Sequence, residues 1–102
     1  MANAYEPRFR RHVQTDLDNA LTNFEQAAGK KVADEFFESP MAAIEKASLH
    51  PERNHPTPNG LRRCNLLRFK YHFLYRITEN EIRIQVLKHD HRRPNFGLRR
   101  KF

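Results

Sequence analysis

Histidine and arginine carry whatever chemistry this chain can do. His72 lies in the run Tyr71–Ile77, where aromatic and branched residues alternate with polar ones, and it shares its phase with Arg76. An unperturbed imidazole titrates near pH 6.5, so His72 could act as base or acid, and arginines around it would favour its neutral form. A solvent-facing strand histidine is the simpler reading. His89 and His91 flank Asp90 and could supply the imidazole instead. As a metal site the three are discounted, because adjacent residues rarely converge on one ion and the neighbourhood is strongly basic. No metal and no cofactor is expected. His50 and His55 fall in a Pro-rich stretch and are read as solvated. Arg92, Arg93, Arg99, Arg100 and Lys101 form the densest cationic cluster. Beside the reading of a solvated basic terminus, phosphate contact and docking of an acidic protein segment stand as equal functional readings.

These side chains need a scaffold. Leu61–Leu67, Tyr71–Ile77 and Ile82–Lys88 are rich in aromatic and branched residues and read as an antiparallel meander of three strands. Alternation puts Cys64, Leu66, Tyr71, Phe73, Tyr75, Ile77, Ile82, Ile84 and Val86 on a core face. Arg63, Asn65, His72, Arg76, Arg83 and Gln85 take the other face, interrupted by Leu67, Leu74 and Leu87, which makes it a cationic, hydrogen-bonding surface. Upstream, apolar residues recur at three and four from about Arg11 (Val13, Leu17, Ala20, Leu21, Phe24) and predict a helix ended by Gly29. A second helix is expected from Lys30, kinked or restarted at Ser39-Pro40, since an interior proline costs roughly 3 kcal/mol. His50 to Gly60 reads as a loop, and Asn3 to Arg10 holds a weakly signalled edge strand. The fold expected is α+β, a helical hairpin packed on one face of a small antiparallel sheet.

The 102 residues suit one domain, 1–102, with a basic tail over about 95–102. Neither a membrane span nor a secretory signal is read, and the single cysteine, Cys64, makes no internal disulfide, so a cytoplasmic location is expected. Cys64 is taken as a small core residue. The net charge of +7 is unevenly placed: residues 1–60 balance at −2 and residues 61–102 at +9. A field of that strength attracts a polyanion or an acidic protein.

The motif G-L-R-R-C-N-L-L-R-F-K-Y-H-F-L-Y-R-I at Gly60–Ile77 and the ending I-R-I-Q-V-L-K-H-D-H-R-R-P at Ile82–Pro94 resemble the RelE/ParE superfamily of bacterial toxins, in its plasmid-stabilisation branch. The D-L-x-x-A-x-x-x-[FY]-E pattern at Asp16–Glu25, the helix with Phe36 and Phe37, and H-P-E-R at His50–Arg53 extend the likeness over about residues 9–96. The resemblance implies a β-α-α-β-β-β domain and a cognate antitoxin that wraps and neutralises it. It implies a target of either DNA gyrase, for ParE-like members, or messenger RNA on the ribosome, for RelE-like ribonucleases.

Cleaving RNA requires a base for the 2′-hydroxyl, cations for the phosphorane and an acid for the leaving oxygen. RelE-like nucleases are similar in carrying two lysines, an arginine, a later arginine and a terminal tyrosine or histidine, and the resemblance sets Arg63, Asn65, His72 and Arg92 at the first four of these positions. Phe96 lies nearest the tyrosine and lacks a hydroxyl. Arg63, His72 and Arg92 are therefore the catalytic candidates. Arg76, Arg83, Arg93, Arg99, Arg100 and Lys101 are candidates for nucleic-acid or partner contact. Because lysine and arginine of the nuclease pattern are exchanged for Asn65 and His72, the reading favoured is a ParE-like or divergent toxin. A ribosome-dependent mRNA endoribonuclease is the alternative, and a non-toxic basic nucleic-acid-binding module the second. Whether the chain is an enzyme stays open.

Overall fold

The apolar spacing of Val13, Leu17 and Ala20 produces helix α1, Arg11–Ala28, in the computed structural model, which describes residues 4–100. Gly29 ends it at φ 93, a conformation costly to any residue with a Cβ, while its N–H still reaches Glu25 O at 3.0 Å. Helix α2, Lys30–Leu49, turns back at once and packs against α1. It runs on through Pro40 as one helix, so of the kink or restart expected at Ser39-Pro40 the restart does not occur. The proline forfeits one backbone donor, and burial of its ring offsets part of the loss. Among the described residues no helix is long and apolar enough to cross a membrane.

Strand β1, Glu6–Phe9, precedes the helices; after a short 3₁₀ turn at Pro51–Arg53 come β2, Arg62–Asn65, β3, Tyr71–Ile77, and β4, Glu81–His89. The sheet order is β1-β4-β3-β2. The meander is antiparallel as expected, but β1 lies parallel to β4, with Arg8 opposite Arg83 and Phe9 opposite Ile84. The sheet is therefore mixed, because the helices and meander between β1 and β4 bring the chain back in its starting direction. Strand β2 is shorter than the run 61–67. Leu66 N–H still bonds Tyr71 O at 3.0 Å, whereas Leu67 leaves the sheet and stands 97% exposed.

The helices cover one face of this sheet, burying Phe36, Phe73, Tyr75, Ile82 and Ile84 almost completely. Phe24, Phe36, Phe69 and Tyr71 meet at ring-centroid distances of 4.6 to 5.7 Å and close one end of the core. The strand alternation fails at a single point. Tyr75 is opposite Ile84 and Leu74 opposite Val86, which leaves Gln85 as an extra residue on β4, a β-bulge. The bulge reverses the phase beyond it. Leu87, expected on the polar face, enters the helix-side core, and Val86, expected in that core, faces away with Leu61 and Leu74.

The second face is consequently half apolar, and it is covered. Residues 90–100 fold across it in successive turns, setting Phe96 and Leu98 against Leu61, Leu74 and Val86. Gly97 lies so close that a Cβ there would come 2.6 Å from Val86 Cγ2. Through Arg100 the basic C-terminal region thus belongs to the packed domain; Lys101 lies outside the described residues.

Tyr75 and Arg76 test the strand phase directly. Tyr75 is wholly buried, its hydroxyl donating to Pro51 O and accepting from Asn54 Nδ2 at 3.1 Å, whereas Arg76 is exposed. Tyr75→Asp should cost more than about 4 kcal/mol and unfold the domain, and Arg76→Asp should stay within about 0.5 kcal/mol of wild type. Thermal melts followed by circular dichroism check this; similar shifts for both would refute the phase.

Candidate functional site

Register decides which polar side chains share the second face. Asn65 lies opposite His72 and His72 opposite Lys88, while Arg63, Leu74 and Val86 form the adjacent row. His72 is not the solvent-facing residue expected from alternation. It is 4% exposed, and its Nδ1 lies 2.7 Å from Asp90 Oδ1. The correction follows from residues 90–100, which close over this end of the sheet. Arg63 Nη2 is 3.4 Å from the same carboxylate oxygen, and Arg63 Nε donates to Asn65 Oδ1 at 2.8 Å.

Electrostatics keep this imidazole neutral. Burial lowers the His72 pKa below its ordinary 6.5, Arg63 and Lys88 push the same way, and Asp90 opposes them. A neutral ring beside a carboxylate donates through Nδ1–H to Asp90, leaving Nε2 with the lone pair that a general base needs. Lys88, 5% exposed, donates its ammonium to the carbonyl oxygens of Arg93, Pro94 and Phe96 at 3.3, 2.9 and 3.4 Å. Burial lowers its pKa as well.

Arg92 is placed elsewhere. Its guanidinium stacks 4.1 Å over the Phe96 ring and borders a recess with Asn23, Tyr71 and His89 on the α1 side. It opposes the burial that raises the Tyr71 phenol. The structure thus joins Arg63 and His72 through Asp90 and turns Arg92 toward α1. His89 packs edge-on to Tyr71, with ring centroids 5.1 Å apart, and its Nδ1 accepts His91 N–H at 3.0 Å. No group of three or more His, Cys, Asp or Glu side chains suited to a metal occurs among the described residues.

The contact candidates divide in two. Arg76, Arg93 and Arg99 are exposed. Arg83 and Arg8 sit in register with Arg76 across three strands, an unfavourable juxtaposition of like charges that Glu81 relieves by accepting from Arg8 Nε at 3.0 Å and Arg83 Nε at 3.2 Å. Arg100 is turned inward, forking onto Asp16 with Nη1–Oδ2 at 2.6 Å and Nη2–Oδ1 at 2.8 Å. The same carboxylate accepts Leu87 N–H at 3.1 Å. Asp16 and Lys88 escaped the sequence reading of the site, and Asp90 was weighed there only as a discounted metal ligand, not as the partner of His72. A signal existed for Asp16, whose position between Val13 and Leu17 lies on the buried stripe of α1.

No protein-family model matches this sequence, and no curated protein matches it. Solved structures do. A chain from the chromosomal ParDE toxin–antitoxin system of P. aeruginosa superposes with a TM-score of 0.74 at 17% identity, over 84% of this chain and 96% of that one. A chain of the toxin–antitoxin complex RelBE2 from Mycobacterium tuberculosis gives a TM-score of 0.58 at 22% identity, over 85% of this chain and 99% of that one. The fold is the α+β fold found in these ParDE and RelBE structures.

Burial of His72 has a consequence in solution. The folded-state pKa lies below the unfolded value, so the unfolded chain takes up a proton first as the pH falls. The stability held by the neutral ring is whole above about pH 6.5 and is lost as the pH drops toward the depressed folded value. Melting temperatures of wild type should fall as the pH drops below about 6.5, and His72→Gln should flatten that slope. Parallel slopes would contradict it.

Proposed function

We propose that this chain is the toxin of a type II toxin–antitoxin pair, a plasmid-stabilisation type of system working in the cytoplasm, and that it is ParE-like in acting on DNA gyrase by binding. A cognate antitoxin neutralises it. The observation that carries the choice is the closure of the sheet's second face, where a nuclease would set its base and cations. There His72 is 4% exposed and tied to Asp90, Lys88 is committed to three carbonyls, and Arg92 faces Phe96. Arg63, Asn65, Asp90 and Arg92 are exposed there, while His72 and Lys88, the groups that could pass a proton, are buried. A substrate phosphate finds arginines there, which stay protonated and are poor general bases.

One observation favours the RelE-like alternative. His72 as base and Arg63 as cation both reach the carboxylate of Asp90, at 2.7 and 3.4 Å, and opening of residues 93–100 would present them to RNA. Truncation after Pro94 cannot separate the two readings, since it strips Phe96, Leu98 and Arg100 from the sheet. The double reversal Arg93→Glu/Arg99→Glu alters exposed charge alone.

Wild type, His72→Ala and the double reversal should be induced in cells, with growth, primer extension on messenger RNA and gyrase supercoiling measured together. Arrest without messenger cleavage, retained in His72→Ala and weakened in the double reversal, is expected. Cleavage at codon boundaries that falls about 10²–10⁴-fold in His72→Ala would establish the nuclease. Growth unaffected by wild type would point to a non-toxic nucleic-acid-binding module.

A further inference from the structure

Ser39, Ala42, Ala43, Lys46, Ala47 and His50 follow one another at three and four along α2 and share one side of the helix. Strand β2 lies across from them, and the alanines are too short to close the space between. A cavity of about 320 Å³ remains, within the range of small-molecule sites, roughly 300–1,000 Å³. The half-buried Cys64 forms its sheet wall. Burial pushes the thiol pKa up, so near neutral pH it presents an uncharged sulfur.

The two ends of this cavity differ. Arg68 reaches Glu35 of α2, with Nη2–Oε2 at 3.0 Å, which sets the preceding Leu67 at the end marked by Ser39 and Ala43. Leu67 is 97% exposed there, against 51% for the next most exposed large apolar side chain. At the other end, later along α2, stand Lys46 and His50, joined by Arg53 from the 3₁₀ turn. No carboxylate lines the cavity, and neither Lys46 nor Arg53 enters an ion pair among the described residues. From Ala43 to His50 the helix rises about 10 Å, at ~1.5 Å per residue, which is about the length of an extended eight-carbon chain.

We propose that this cavity is a small-molecule site for a medium-chain monocarboxylate, whose head takes hydrogen bonds from Lys46, His50 and Arg53 and whose hydrocarbon chain runs along Ala43 to cover Leu67. Two unpaired cations at one end suit a single carboxylate, since hydrogen bonds between ionised partners are the strong ones. The apolar end sets chain length: each methylene withdrawn from water there tightens binding about fourfold until the space is full. A cation on the same tail is repelled by the head site. The cavity lies on the helix side of the sheet and uses none of the residues of the second face, so it stands or falls apart from the toxin reading.

The test uses the full chain with sodium octanoate, sodium hexanoate and octylamine. Calorimetry at low salt should show octanoate binding, hexanoate about tenfold weaker and octylamine absent, with the octanoate affinity falling as salt rises. Saturating octanoate should slow alkylation of Cys64 by N-ethylmaleimide about tenfold. Leu67→Asp and the double reversal Lys46→Glu/Arg53→Glu change exposed residues and should melt as wild type while each raises the octanoate Kd about tenfold. Lys31→Glu/Lys70→Glu makes the same change of charge at exposed residues outside the cavity and should bind octanoate as wild type. The proposal is overturned by absence of octanoate binding, by equal binding of octylamine, by wild-type affinity in either cavity variant, or by an equal loss in the Lys31/Lys70 reversal. It is equally overturned if octanoate leaves Cys64 alkylation unchanged and Phe37→Asp, in the groove shared by Phe9 and Met41, is the substitution that abolishes binding.

Discussion

A single carboxylate joins the three layers of this protein. Asp16, on the buried stripe of α1, accepts the Leu87 N–H and receives the Arg100 fork. Strand β1 reaches only as far as Ile84 on that side of β4, so beyond it the backbone donor of Leu87 has no strand to pair with, and a buried donor left unpaired costs roughly 1–3 kcal/mol. Asp16 meets that need, and its own charge is met by Arg100, whose position requires residues 90–100 to lie across the sheet. Helix, bulge and C-terminal segment therefore fix one another. A paired, hydrogen-bonded charge in such a place sets geometry more than it adds stability.

Much of this fold was legible because it rests on local periods. The three-and-four spacing gave both helices, Gly29 their boundary, and strand β3 coincides with the alternating run Tyr71–Ile77. The errors share a cause in contacts distant along the chain. Gln-Val-Leu at 85–87 reads equally well in either phase, and only the register with β3 decides that Gln85 is the extra residue. Pro40 was weighed for its local cost, while its burial depends on the neighbours α2 meets. His72 was placed by alternation on a face taken to be open, and alternation says nothing of a later segment folding over it. The pairing of Arg63 with His72 through Asp90 was invisible for the same reason, since Asp90 stands 18 residues from His72.

Charge counting also misled in degree. The excess of +9 in residues 61–102 counts Lys88 and Arg100, whose charges are held inside the domain. Others are shared: Arg83 with Arg8 on Glu81, Arg63 on Asp90, Arg68 on Glu35 at 3.0 Å. The field around the domain is narrower than the sum, and it is carried chiefly by Arg76, Arg92, Arg93 and Arg99 and by the rim of β2.

Lys88 and Gln85 hold the C-terminal segment in an unusual manner, for both grip main-chain oxygens: those of Arg93, Pro94 and Phe96 for the ammonium, and those of Gly97, Leu98 and Arg100 for the amide. A grip on carbonyls does not read the side chains of what it holds. Asp90 is further constrained by His72 and Arg63, Arg92 by the Phe96 ring, and Phe96, Gly97, Leu98 and Arg100 by contact with the sheet or with Asp16. At Arg93, Asn95 and Arg99 the identity of the side chain is decoupled from the integrity of the domain. Mutation is free to rewrite those positions, so the surface presented there can change from lineage to lineage while the scaffold is inherited intact.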